Sequence, residues 1–124
     1  MRFFVPFGMH LDELLQFCFA LKGTTEHFPF DERTLVLKVQ GKMYALVDVD
    51  EPTGINLKCD PERAVELRER CDGIQPGYHM NKKHWNTVSL LGQIDDSLIK
   101  ELIVHSYDQI VSSLPKKLRD ELAD

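Results

Sequence analysis

The side chains best placed to do chemistry fall in one short stretch: His79, Asn81, Lys82, Lys83 and His84, followed directly by the only tryptophan, Trp85. Lysines act as point charges on a phosphate backbone, and an amide can hydrogen-bond a phosphate or a base edge. Imidazole adds positive charge on acidification. No acidic residue lies between Gly73 and Ile94, so the stretch forms a local cationic patch, with Lys58 as a candidate neighbour from another strand. This chemistry is binding, and what it suits is a phosphate-bearing partner. The competing structural reading is an ordered turn in which Asn81 and His84 satisfy backbone groups and the lysines are solvated. Trp85 could stack on an exposed base. A lone tryptophan in an alternating strand fits a core better, and Trp85 is expected to be buried against the long C-terminal helix.

Other chemistries find less support. His79 and His84, even with Cys71, fall short of the four ligands of structural zinc and the three of catalytic zinc, so no metal is expected. Asp12 and Glu13 serve the positive end of the first helix better than they serve a hard cation. No G-x-S-x-G elbow, H-E-x-x-H pair or P-loop occurs. His105 and Ser106 adjoin on a helix, where adjacent residues do not face each other, and His105 reads as a half-buried helix residue. The expectation is a non-enzymatic protein without a cofactor.

The chain of 124 residues has the size of one domain and enough length for a real core. Its formal net charge is −5. A negative chain repels phosphates as a whole, so DNA binding must rest on the local patch and must be weak and salt-sensitive. Cys18, Cys59 and Cys71 are widely spaced and odd in number, which argues against a disulfide framework and for a reducing compartment such as the cytoplasm. No apolar run approaches the ~20 residues of a membrane span, and no membrane partner is expected.

The elements that must position the patch follow from periodicity. Leu11, Leu14, Leu15, Cys18 and Phe19 form one helical stripe, closed by Lys22-Gly23, which predicts a helix to about Leu21. Alternating runs follow: Glu26 to Phe30, with Phe28 and Phe30 on one face; Leu35 to Val39; Met43 to Val47; and Ile55 to Lys58. They predict an antiparallel meander. Asp60-Pro61-Glu62 is a strong helix start, and that helix ends near Asp72-Gly73. Trp85 to Leu90 is a further strand. Asp95 caps a long helix, with Ile94 and Ile99 as a hydrophobic staple and Pro115 as its stop. Lys116 to Ala123 adds a short terminal helix. The order predicts an α+β fold, a two-layer sandwich of an antiparallel sheet with helices packed on one face.

The segment Pro76, His79, Asn81, Lys82, His84, Trp85, Thr87 and Val88 matches the pattern P-x-x-H-x-N-K-x-H-W-x-T-V and resembles the MmcQ/YjbR family. Leu14-Leu15-Gln16-Phe17-Cys18, Met43-Tyr44-Ala45, Asn56-Leu57-Lys58, Ser106-Tyr107 and Leu114-Pro115 extend the resemblance from about Met9 to Leu118. Residues 1–8 form an N-terminal extension without a counterpart, and 9–124 form one domain. The resemblance implies a frataxin/CyaY-like helix–sheet–helix sandwich and a DNA-binding role, with no catalytic residues. The reading is a small DNA-binding protein acting through Lys58, His79, Asn81, Lys82, Lys83 and His84. The alternative is a protein-interaction or small-ligand module that touches no nucleic acid.

Overall fold

A computed structural model describes residues 8–123. In chain order they form α1 (Leu11–Phe19), β1 (Thr24–His27), β2 (Thr34–Val39), β3 (Lys42–Asp48), β4 (Gly54–Lys58), α2 (Pro61–Arg70), β5 (Ile74–Pro76), β6 (Trp85–Ser89), α3 (Asp96–Ser113) and α4 (Lys116–Ala123). The strands make one sheet in the order β1-β2-β3-β4-β6-β5, antiparallel at every step. The α+β class and the single antiparallel sheet are those the periodicity predicts.

Alternation explains how the layers divide. Leu35, Leu37, Ala45, Val47, Ile55, Leu57 and Val88 point to one side. There they meet Leu14 and Cys18 of α1, Ala64 and Leu67 of α2, and Ile99, Leu102, Ile103 and Ile110 of α3 in a single core. Each strand residue between them must point the opposite way. On that side lies a small second cluster, Val36, Leu46 and Trp85, flanked by Met43 and Met80.

Trp85 is therefore buried, at 8% exposure, but its cluster contains no helical residue. The expected packing against the long helix is wrong in its side. Both faces of this sheet carry apolar residues, and alternation separates two faces without saying which one a helix covers.

Three local expectations also change. The first strand ends at His27, and Phe28 and Phe30 are exposed beyond it. Pro29 cannot extend a ladder, and Asp31 Oδ1 accepts from the backbone N–H groups of Arg33 and Thr34, which makes the segment a turn. β5 was not anticipated, being three residues ending in a proline. α1 stops at Phe19, two residues early.

The helix starts are mixed. Asp60 Oδ2 accepts from Arg63 N at 3.2 Å, as its cap position requires. Asp95 stands at the start of α3 but makes no side-chain cap bond, while Ile94 and Ile99 are both buried in the core.

Ser106 of α3 closes a gap in the sheet. Pairing of β3 with β4 runs only from Val47↔Ile55 to Ala45↔Leu57. Just beyond, the Ser106 hydroxyl donates to Tyr44 O at 2.5 Å and accepts from Lys58 N at 2.9 Å. Residues 1–7 of the N-terminal extension lie outside the described residues. Gly8, its last residue, has φ +111°, and a side chain there would strike the Leu90 carbonyl.

Candidate nucleic-acid interface

The loop from Gly77 to His84 is held in place by its own polar groups. Asn81 Oδ1 accepts from Lys83 N at 2.9 Å and His84 N at 3.3 Å, and its carbonyl accepts from Trp85 N at 3.0 Å. Lys82 Nζ donates to Gly77 O at 2.9 Å. The His84 carbonyl accepts from Cys59 N at 2.8 Å, tying the loop to the end of β4. The structural reading thus holds for the Asn81 side chain, and the Lys82 side chain also has a backbone partner, whereas His84 joins the turn through its own backbone N–H and carbonyl. Lys83 and His79 are exposed.

Arg68 of α2 is the main residue that sequence reasoning missed. Its guanidinium donates to Asn86 Oδ1 at 2.6 Å and Trp85 O at 3.3 Å, and it also reaches the Lys82 carbonyl. Asn86 itself is buried. The planar fork of arginine suits several acceptors at once, so Arg68 locks the loop to the second helix. Its only sequence signal was a cation in the last turn of a helix, which normally serves the helix dipole.

A second set of bonds fixes the loop over the sheet. Tyr78 N donates to Thr87 Oγ1 at 3.0 Å, the Thr87 hydroxyl bonds Asn56 Oδ1, and Asn56 Nδ2 donates to Tyr78 O at 3.4 Å. His79 takes a left-handed backbone, φ +58°. Its ring lies 4.0 Å from that of Tyr78, tilted by 52°.

Between this loop and the β1–β2 connection lies a cleft of about 800 Å³ on the sheet face that carries Trp85. Leu46, Asn56, Thr87 and Met80 line it, and so do Phe30 and Tyr78, which are 66% and 69% exposed. Asp48 and Glu51 also line it. Burial pushes the Asp48 carboxyl up, but hydrogen bonds from Glu51 N and Asp50 N and the Arg33 guanidinium at 2.9 Å hold it below its ordinary range.

Sheet register places several lysines at one end of the sheet, where Glu121 also lies through its bond with Gln40. Val39 pairs with Lys42, Lys38 with Met43 and Lys58 with Trp85, so Lys38, Lys42, Lys58 and the Lys83 loop gather at one end of the sheet. Asp48 pairs with Thr34 at the opposite end. Of the sequence candidates, the structure brings together Lys58, Asn81, Lys82, Lys83 and His84, places His79 at the cleft, and adds Lys38 and Lys42. Among the described residues no group of three or more His, Cys, Asp or Glu side chains could hold a metal ion, and no helix is long and apolar enough to cross a membrane.

Residues 19–109 match the YjbR family model. The chain is 38% identical over 112 residues to an uncharacterised Escherichia coli (strain K12) protein, YjbR, covering 90% of this chain and 95% of that one. Its fold is similar to the crystal structure of Deinococcus radiodurans protein DR2400, a DUF419 domain, with a TM-score of 0.88 and 42% identity over 96% of this chain and 91% of the other. A Pseudomonas syringae crystal structure is similar at a TM-score of 0.70 and 29% identity, over 82% of this chain and 98% of that one. With a model match across most of its length and a relative of this identity over nearly all of it, the chain belongs to the YjbR family.

Proposed function

We propose that this chain is a small non-enzymatic DNA-binding protein that uses the end of its sheet where the lysines gather. The observation that carries the reading is the register: it puts Lys38, Lys42 and Lys58 at the same end of the sheet as exposed Lys83 in a chain that is acidic overall. Phosphate attraction is the main term in non-specific binding, and a one-ended cluster supplies it despite net charge. Lys82, Asn81 and His84 shape the loop, and Lys83 and Lys58 carry the contact. The free cysteines fit work in a reducing compartment such as the cytoplasm.

The second reading, a small-ligand module without nucleic acid, draws on one observation. Asp48 and Glu51 line the cleft and oppose phosphates there.

The test is fluorescence anisotropy of a labelled oligonucleotide at low salt. With about two to four phosphates contacted, log K should fall with log salt at a slope of roughly −2 to −4 on duplex. Lys58→Gln with Lys83→Gln should remove most of the affinity and make the slope shallower by about 1.8. Lys100→Gln with Arg70→Gln removes the same charge elsewhere and should change little. Equal losses in both double variants, or no binding by the parent at low salt, would end the DNA reading.

A further inference from the structure

Resting on that DNA reading, we infer that the cleft receives an unpaired base, so that the preferred ligand is single-stranded DNA. The cleft's volume of about 800 Å³ lies in the range of small-molecule sites. Its chemistry is mixed in the way a base requires. Phe30 and Tyr78 present rings that are 66% and 69% exposed and so open to stacking. Both line the same cleft, one from the β1–β2 connection and one from the loop.

The ring of Tyr78 is held in position. The Asn56–Thr87–Tyr78 bonds fix its backbone to β4 and β6, and the His79 ring packs at 4.0 Å beside it. His79 reaches that place through a left-handed backbone, which is uncommon for a residue with a Cβ and is concentrated at ligand-holding sites. Trp85 is buried in the cluster with Leu46, and Leu46 belongs to the cleft wall. Stacking therefore falls to Tyr78 and Phe30.

Charge fixes the orientation of the strand. Phosphates are drawn to the end with Lys38, Lys58 and Lys83 and repelled from Glu51, the Asp48 charge being offset by Arg33. Asp48 is already held by Arg33 and by the Asp50 and Glu51 amides, so Glu51 is the carboxylate that offers acceptors to base N–H groups, which duplex DNA keeps in its base pairs. A duplex presents no free base face, so it can use the lysines but not the rings.

The experiment compares a single-stranded oligonucleotide with the duplex of the same length, by anisotropy at one low salt concentration. The single strand should bind more tightly. Tyr78→Ala and Phe30→Ala should each weaken single-strand binding by about 5- to 150-fold, the range for losing one stacked base, while leaving duplex binding unchanged. Tyr78→Phe keeps the ring and should bind like the parent. Phe19→Ala, at an exposed aromatic of α1, should also have no effect. Melting curves establish that each variant is folded. Duplex binding equal to single-strand binding, or single-strand affinity unmoved by both ring deletions, overturns the inference and leaves the lysine-based reading standing. No binding of either ligand overturns both.

Discussion

Ser106→Ala tests how the sheet that carries the site is completed. The Ser106 side chain is fully buried, and its one hydroxyl serves two backbone groups, Tyr44 O at 2.5 Å and Lys58 N at 2.9 Å. These groups lie just past the last β3–β4 pair. Alanine fits the space but leaves an acceptor and a donor unmet. Each buried unsatisfied group costs about 1–3 kcal/mol. Lys58 N is only partly buried, so the sum is taken near the low end, about 2–4 kcal/mol. For a domain of this size about 1 kcal/mol shifts the melting temperature by roughly 4 °C, so the midpoint should fall by about 8–16 °C. Thermal unfolding followed by circular dichroism reads this directly. Ser113→Ala is the control, since its hydroxyl makes one partly buried bond to Ile110 O and its loss should cost no more than about 1.5 kcal/mol. A Ser106→Ala midpoint within about 2 °C of the parent would refute the bridging role.

Trp85→Ala should cost about 3 kcal/mol, the low end of the range for large aromatics, because its cluster is small and borders an open cleft; an unchanged urea midpoint would sink this. A pH effect is expected at His105, whose Nε2 accepts from Asp60 N at 3.1 Å and so needs a neutral ring. Burial first, and then the Arg63 charge, hold its pKa below 6.5. The unfolded chain therefore takes up this proton first. The stabilisation from His105 is full above about pH 6.5 and is lost as the pH falls through the lower, folded value. His105→Gln keeps an acceptor for Asp60 N and should flatten the decline below pH 6.5, whereas an identical pH profile in both proteins would assign the decline elsewhere.

What could be read from the residues had a local physical cause. Asp60-Pro61 announces a helix through capping and a preset φ, and α2 begins there. Leu35 to Val39 and Met43 to Val47 announce strands by alternation, and both are strands. The loop was located by its composition, and the turn-forming role of Asn81 follows from an amide that bonds backbone two residues on. What stayed hidden depends on distant partners. Nothing near Arg68 in sequence shows that it meets Lys82, Trp85 and Asn86. The placing of Lys38 and Lys42 at the same end of the sheet as Lys58 needs a strand register, and the side of Trp85 needs the helices in place. Phe28 and Phe30 satisfied a strand period, but the proline between them decided otherwise. Ser106 and His105 adjoin in sequence, but the structure gives them separate backbone partners, Tyr44 O and Lys58 N for Ser106 and Asp60 N for His105.

The most direct test of the binding surface is residue-resolved. Amide resonances of the isotopically labelled chain should be followed while an unlabelled single-stranded oligonucleotide is added at low salt. Binding through the proposed surface predicts shifts concentrated at Lys38, Asn56, Lys58, Gln75, Tyr78, His79, Lys83 and Thr87, reversed by added salt. Shifts concentrated instead on α1 and α3, or no shifts at a protein concentration well above the anisotropy midpoint, would contradict it.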